Sequence, residues 1–182
     1  MTMIRRQAML FLALFLSVAG SAVAQQPASP ATAPVPNRTT ANYDDWVVRC
    51  ETGRDGNRDV KICENVQMLV GSDGRIVAQV VIGRPAGSAN DRIFVELPAG
   101  VWLPDGVTIR IADKPAASLT FRRCLQSCLA DADLPKPSLD ALAGATQPIS
   151  LGFSEGPGKP ATFPLSAKGL RNAYAASNAQ SK

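Results

Sequence analysis

The stretch RRCLQSCLADADL, residues 122–134, holds the side chains with the most chemical reach: two cysteines four positions apart, two arginines before the first and two aspartates after the second. A C-x3-C pair can clamp a metal, exchange disulfides or act as a crosslink. A structural zinc takes four thiolate or imidazole ligands. The chain has no histidine, and its other two cysteines, Cys50 and Cys63, stand at a spacing that fits no compact four-thiolate site. Redox cysteines usually form C-x-x-C, in which one thiol activates its neighbour. Here the spacing is one residue too long, although Arg122 and Arg123 would favour a thiolate. The residues therefore favour a structural crosslink, with a redox or folding-helper role for Cys124 and Cys128 kept as an alternative.

Other chemistries fail on composition. Without histidine no Ser-His or Cys-His arrangement can form. No serine or threonine lies three residues before a lysine, which removes the S-x-x-K nucleophile. GRPAGS and EGPGKP contain glycine but lack the order that cradles phosphate, and both read as turns. DGNRD places Asp55, Asn57 and Asp59 at alternate positions like the first ligands of a calcium loop, yet Val60 stands where glycine is needed and Val66 where a bidentate carboxylate belongs. Asp131 and Asp133 would serve glycoside or peptide hydrolysis only if another carboxylate converged on them. The expectation is no catalytic residue, no metal and no cofactor, with a carboxylate enzyme acting on envelope glycan or peptide as the alternative.

Trp46 opens a strand-like segment and is expected in the core. Trp102 sits between turn glycines in LPAGVWLPDG, and a loop tryptophan can anchor a partner because aromatics dominate interface hot spots. Trp102, Leu103 and Asp105 form the candidate interaction loop; capping of the sandwich end is the plainer role for the same tryptophan.

These residues need a scaffold, and the chain supplies one in three parts. Residues 1–24 carry a short basic stretch, an apolar run and small residues at Ala22 and Ala24, which reads as a signal peptide. The apolar run is shorter than the ~20 residues that span a bilayer. Removing Arg5 and Arg6 with it lowers the net charge from +4 to +2, too little to expect a nucleic-acid partner. Residues 25–42, rich in Pro, Ala, Ser and Thr, read as a flexible linker. Residues 43–182 are long enough for one core, and no transmembrane segment is expected in the mature chain.

Within that domain apolar and polar residues alternate in eight short runs: 46–50, 61–70, 75–83, 91–98, 106–111, 118–124, 147–154 and 161–166. Turn residues stand between them. KPSLDALAGA (136–145) reads as a short helix capped by Ser138, and 166–178 as a second, with Ala167, Leu170 and Tyr174 on one face. The pattern predicts an all-β fold, an antiparallel β-sandwich with one or two short helices near the C-terminus. Four cysteines in an exported chain predict two disulfides. Of the three pairings, Cys50 with Cys63 across a hairpin and Cys124 with Cys128 across a tight turn are favoured.

The order WVVRC (46–50), Cys63 opening a strand, LPAGVWLPDGV (97–107), FRRCLQSCLAD (121–131) and LSAKGLRNA (165–173) resembles the invasion-associated locus B family over nearly all of the domain. Ser127 departs from the family's usual glycine before the last cysteine, and Leu170 from its usual phenylalanine. The resemblance implies an immunoglobulin-like sandwich, a periplasmic, outer-membrane-associated or secreted location and, for some members, a part in host-cell invasion. It brings no catalytic residues. The expected protein is thus an exported, non-catalytic sandwich that binds a protein or envelope component.

Overall fold

The computed structural model describes residues 37–181. The signal peptide expected over 1–24 and the linker as far as residue 36 lie outside them. Ten strands and two helices follow: β1 (Arg38–Tyr43), β2 (Trp46–Asp55), β3 (Arg58–Val70), β4 (Ile76–Gly83), β5 (Arg92–Pro98), β6 (Val107–Ile111), β7 (Lys114–Cys124), β8 (Ser127–Asp133), α1 (Lys136–Ala143), β9 (Ile149–Gly156), β10 (Lys159–Leu165) and α2 (Leu170–Gln180). A single 3-10 turn, Leu103–Asp105, precedes β6.

All neighbours pair antiparallel, in the order β1-β2-β3-β4-β5-β8-β7-β6-β9-β10. Strand β7 serves two sheets. Its first part pairs with β6 as far as Leu119, and its last part pairs with β8 from Thr120, through a bulge between Phe121 and Arg123. The extra residue bends the strand and lets one ladder turn the corner. The inward residues of both sheets, among them Val48, Val80, Ile93, Val95, Ile109 and Leu151, merge with Leu139, Leu142 and Leu170 of the helices into one core. The chain is all-β with two helices, as the alternation predicts.

Two strands escape the sequence pattern. Residues 38–42, expected as the end of the linker, form most of β1, which pairs with β2 from Arg38↔Glu51 to Tyr43↔Trp46. An edge strand with no face to bury can be polar throughout, and RTTANY is largely exposed, so composition alone marks it as linker. Residues 127–133, expected as a turn followed by exposed acids, form β8 between β5 and β7. Its inner side chains are Cys128 and Ala130, too small to announce a strand.

The helices correct smaller points. Helix α1 is capped by Pro135, and Ser138 lies inside its first turn instead of at the cap. Helix α2 starts at Leu170, after Ala167, and buries Leu170, Ala173 and Ser177 against β2 and β3. On the free edge of the second sheet, Pro160 and Pro164 lie four apart in β10. A proline tolerated there has its nitrogen turned away from the ladder, so two donors of that edge are removed, which discourages pairing with another strand.

One partly buried polar set ties the last helix to the sheet. Tyr174 of α2 donates its hydroxyl to Asp91 at 2.6 Å, and Arg84 reaches the same carboxylate oxygen at 3.2 Å. Burial first, then the hydrogen bond to Asp91 and its negative charge, push the Tyr174 phenol up to about 12. A raised folded pKa means that the contribution is complete below the ordinary tyrosine value of about 10 and is lost as pH climbs through about 12. Tyr174→Phe is therefore expected to lower stability by about 1–2 kcal/mol at neutral pH. The gap between the two proteins narrows above the ordinary tyrosine range, as urea midpoints measured across the alkaline range will show. The late component of tyrosinate absorbance disappears in the same variant.

Candidate functional site

Strand register decides which residues share an end of the sandwich. Met68 pairs with Gln79, Gln79 with Glu96 and Glu96 with Leu129, so the β3–β4 turn, the end of β5 and the β7–β8 tip lie at one level. The connection from β5 to β6, residues 99–106, starts there, and the Trp102 amide donates to the Ser154 carbonyl of β9 at 2.7 Å. Large hydrophobic side chains collect at this end. Among the described residues seven are exposed, and six of them, Met68, Val70, Ile76, Trp102, Leu103 and Leu125, belong to these connections or to the strand ends that enter them; Ile62 is the exception.

The same end opens into a cavity of about 190 Å³ lined by Val77, Pro98, Val101, Phe153 and Phe163, with Glu155 as its one carboxylate. Phe153 and Phe163 stack at 5.6 Å between ring centroids, across the β9–β10 pair. Beside it a shallow groove of about 530 Å³ runs between Met68 and Val70 on one side and Pro164 and Leu165 on the other. In the β3–β4 turn Arg75 donates to Asp73 from its guanidinium at 2.7 Å and from its backbone at 3.1 Å, which holds the Asp73 carboxyl below its usual range. An apolar rim with fixed charges beside it suits recognition of a surface that is itself part apolar.

The three residues of the candidate interaction loop sit differently in the structure. Trp102 is 38% exposed and Leu103 45%, whereas Asp105 is committed to its own fold, accepting a hydrogen bond from the Ser154 hydroxyl at 2.6 Å. Trp102 thus stands beside the cavity without filling it. Gly106, which ends the loop, has φ 65°, and a Cβ there would lie 2.6 Å from the Leu119 carbonyl oxygen. That close approach, together with Pro104 in the 3-10 turn, fixes where Trp102 and Leu103 are held. Trp46, by contrast, is fully buried, as its strand position predicts.

The cysteines pair as favoured. Cys50 and Cys63 lie at disulfide distance, 2.12 Å, and so do Cys124 and Cys128, 2.11 Å. The first pair is buried under the end of α2, where Gln180 accepts from Lys61 at 2.9 Å. The second closes the β7–β8 hairpin at the apolar end. Asp131 and Asp133 face arginines: Arg92 and Arg122 approach Asp131 at 3.1 and 2.6 Å, and Arg92 lies 3.5 Å from Asp133, and among the described residues no cluster of three or more acids or cysteines that could hold a metal ion forms. In the DGNRD segment Gly56 and Asn57 form a two-residue hairpin turn between Asp55 and Arg58, and Asp59 faces Arg54.

Register-level grouping is what sequence reading missed. Val70 and Ile76 flank the β3–β4 turn and Leu125 lies in the β7–β8 turn, but alternation cannot show that these two turns and the β5–β6 connection point the same way. Phe153 and Phe163 read as ordinary strand residues.

A model of the invasion associated locus B (IalB) protein family matches residues 46–178, from Trp46 in β2 to the last turns of α2. The chain belongs to the invasion associated locus B family. Two relatives named Invasion protein B homolog, from Brucella abortus strain 2308 and from B. abortus biovar 1 strain 9-941, are each 29% identical over 129 residues, covering 70% of this chain and 72% of the relative. The crystal structure of invasion associated protein B from Bartonella henselae has the same fold, with a TM-score of 0.61 at 20% identity over 78% of this chain and 95% of that one. The IalB match begins after β1, so that edge strand lies outside the matched family residues. Both disulfides, the LPAGVWLPDGV loop and most of α2 lie inside them.

Proposed function

We propose that this chain is an exported, non-catalytic binding module that recognises a protein or envelope component through the apolar end of its sandwich. The observation that carries the reading is the gathering of six exposed large hydrophobics at one end, two of which, Met68 and Val70, line the shallow groove. Such a cluster on a soluble surface marks an interaction site more often than chance exposure. Two disulfides and the signal-peptide-like start support an oxidising destination. Among the described residues no helix is long and apolar enough to cross a membrane. The arginines around Asp131 and Asp133 support a structural role for these acids over catalysis. The relatives' names extend the proposal to surfaces met during invasion.

Trp102→Ala tests it. Crosslinking the protein in intact cell envelopes is expected to capture one defined partner, with recovery falling about 30-fold in the variant if Trp102 is a hot spot. The urea midpoint should stay nearly unchanged, because the side chain is partly exposed and fills no cavity. Equal capture by both proteins, or capture of nothing, would refute this function for the loop.

A further inference from the structure

The two disulfides differ in access. Cys50 and Cys63 are 2% and 3% exposed, under α2. At the hairpin tip Cys128 is likewise 2% exposed, but Cys124 is open to solvent, together with Arg123, Leu125 and Gln126. Leu125, the next residue, is 79% exposed, so the hairpin tip as a whole faces solvent. Arg122 is engaged by Asp131 at 2.6 Å, while Arg123 has no ion-pair partner among the described residues and adds an unneutralised positive charge beside Cys124 in the chain.

We infer that Cys124 is the entry point of a thiol-exchange site, which takes a thiolate as its reaction partner at the apolar end of the molecule. The proposal is independent of partner recognition by Trp102. An incoming thiolate attacks Cys124 Sγ, forming a mixed disulfide there and breaking the bond to Cys128. Cys128 departs as a thiolate and takes a proton from solvent. A second thiolate then attacks the mixed disulfide at the incoming sulfur, which leaves Cys124 reduced and joins the two incoming sulfurs. Two electrons pass from two thiols to the protein disulfide.

Geometry sets the direction. Attack at Cys128 is closed by burial, and positive charge at the tip attracts the anionic nucleophile. Cys128 stays anchored in β8 between β5 and β7, with the Ser127 hydroxyl donating to Glu96 at 2.5 Å, while Cys124 ends its strand. The two Cα atoms are held 4.0 Å apart by the hairpin, so Cys128 readily closes the ring again. The buried leaving sulfur slows the step, so the useful contrast is with the other disulfide of the same chain.

The test is peptide mapping after alkylation of the full, oxidised chain incubated without denaturant in reduced glutathione or with a C-x-x-C dithiol oxidoreductase. Cys124 and Cys128 are expected to become alkylated at least about tenfold faster than Cys50 and Cys63. Reaction with glutathione identifies small thiols as the source. Reaction with the dithiol protein alone identifies a protein source. In Cys128→Ser, where Cys124 is left as a free thiol, oxidised glutathione replaces the reduced form, and the Cys124 thiolate is expected to take one glutathione from it and release the other as a thiol, so that the adduct accumulates on Cys124. Equal rates for the two pairs, reduction only after denaturant is added, or an adduct mapped to Cys128 in the wild-type chain would each overturn the inference, and the wild-type rates decide it even if the variant does not fold.

Discussion

Gly169→Ala is expected to cost about 3 kcal/mol or more, a large share of the roughly 5–15 kcal/mol that holds a domain folded. Gly169 caps α2 at φ 88°, and a Cβ placed on it would lie 1.9 Å from the Tyr43 carbonyl oxygen and 2.7 Å from its carbon. Those are backbone atoms of the β1–β2 turn, which cannot swing aside as a side chain would. Asp44, the next residue, is itself held at φ 52°. Gly158 in the β9–β10 turn is the matched control: its φ is 66°, but open space surrounds the added carbon. Gly158→Ala should cost only about 1 kcal/mol, the penalty of the left-handed backbone alone. Urea midpoints of the two variants separate the two effects. Equal losses would mean that the contact with Tyr43 carries no weight.

The same residue shows how much of the molecule is readable before its structure. Gly169 belongs to LSAKGLRNA, a segment legible as a late helix, yet nothing in the segment says that its glycine is held by a turn some 125 residues earlier in the chain. Strands that bury one face leave a period of two, and all eight runs with that period are strands. Strand β1 buries no side chain fully and β8 buries little more than a cysteine and an alanine, so neither leaves one. The cysteine pairing was legible because each pair is local, across a hairpin. The candidate site was legible only at Trp102 and Leu103, where a tryptophan between turn glycines is conspicuous. Its other half comes from turns that converge through the register of β3, β4, β5 and β8, and register is a property of pairs of strands.

The polar clasp near Gly169 joins segments that lie far apart in the sequence. Gln67 donates to the Asp45 carbonyl at 3.1 Å and accepts from the Ser166 amide at 2.9 Å, while the Ser166 hydroxyl donates to Asp45 at 2.6 Å. The β1–β2 turn, the middle of β3 and the approach to α2 are thereby fixed to one another. A buried amide that satisfies two separate backbone groups specifies one arrangement of these segments, since any other leaves them unpaired.

Trp46 stands inside this clasp and gives the second large effect. Its ring is fully buried and its indole N–H donates to the Ser166 carbonyl at 2.8 Å. Trp46→Ala is expected to cost about 3–5 kcal/mol through the cavity and the lost burial. Trp46→Phe keeps much of the apolar volume but leaves the carbonyl without its donor, so a loss of about 1–3 kcal/mol is expected. The phenylalanine variant also leaves Trp102 as the one tryptophan of the chain, and its emission should be that of a solvent-exposed indole, readily quenched by acrylamide. Urea titration followed by circular dichroism measures the first effect, and fluorescence the second. If Trp46→Phe is as damaging as Trp46→Ala, the hydrogen bond to Ser166 outweighs packing at this position. If Trp46→Phe is neutral, packing alone holds the β2 start against the end of β10, and the clasp around Gln67 is sufficient without the indole.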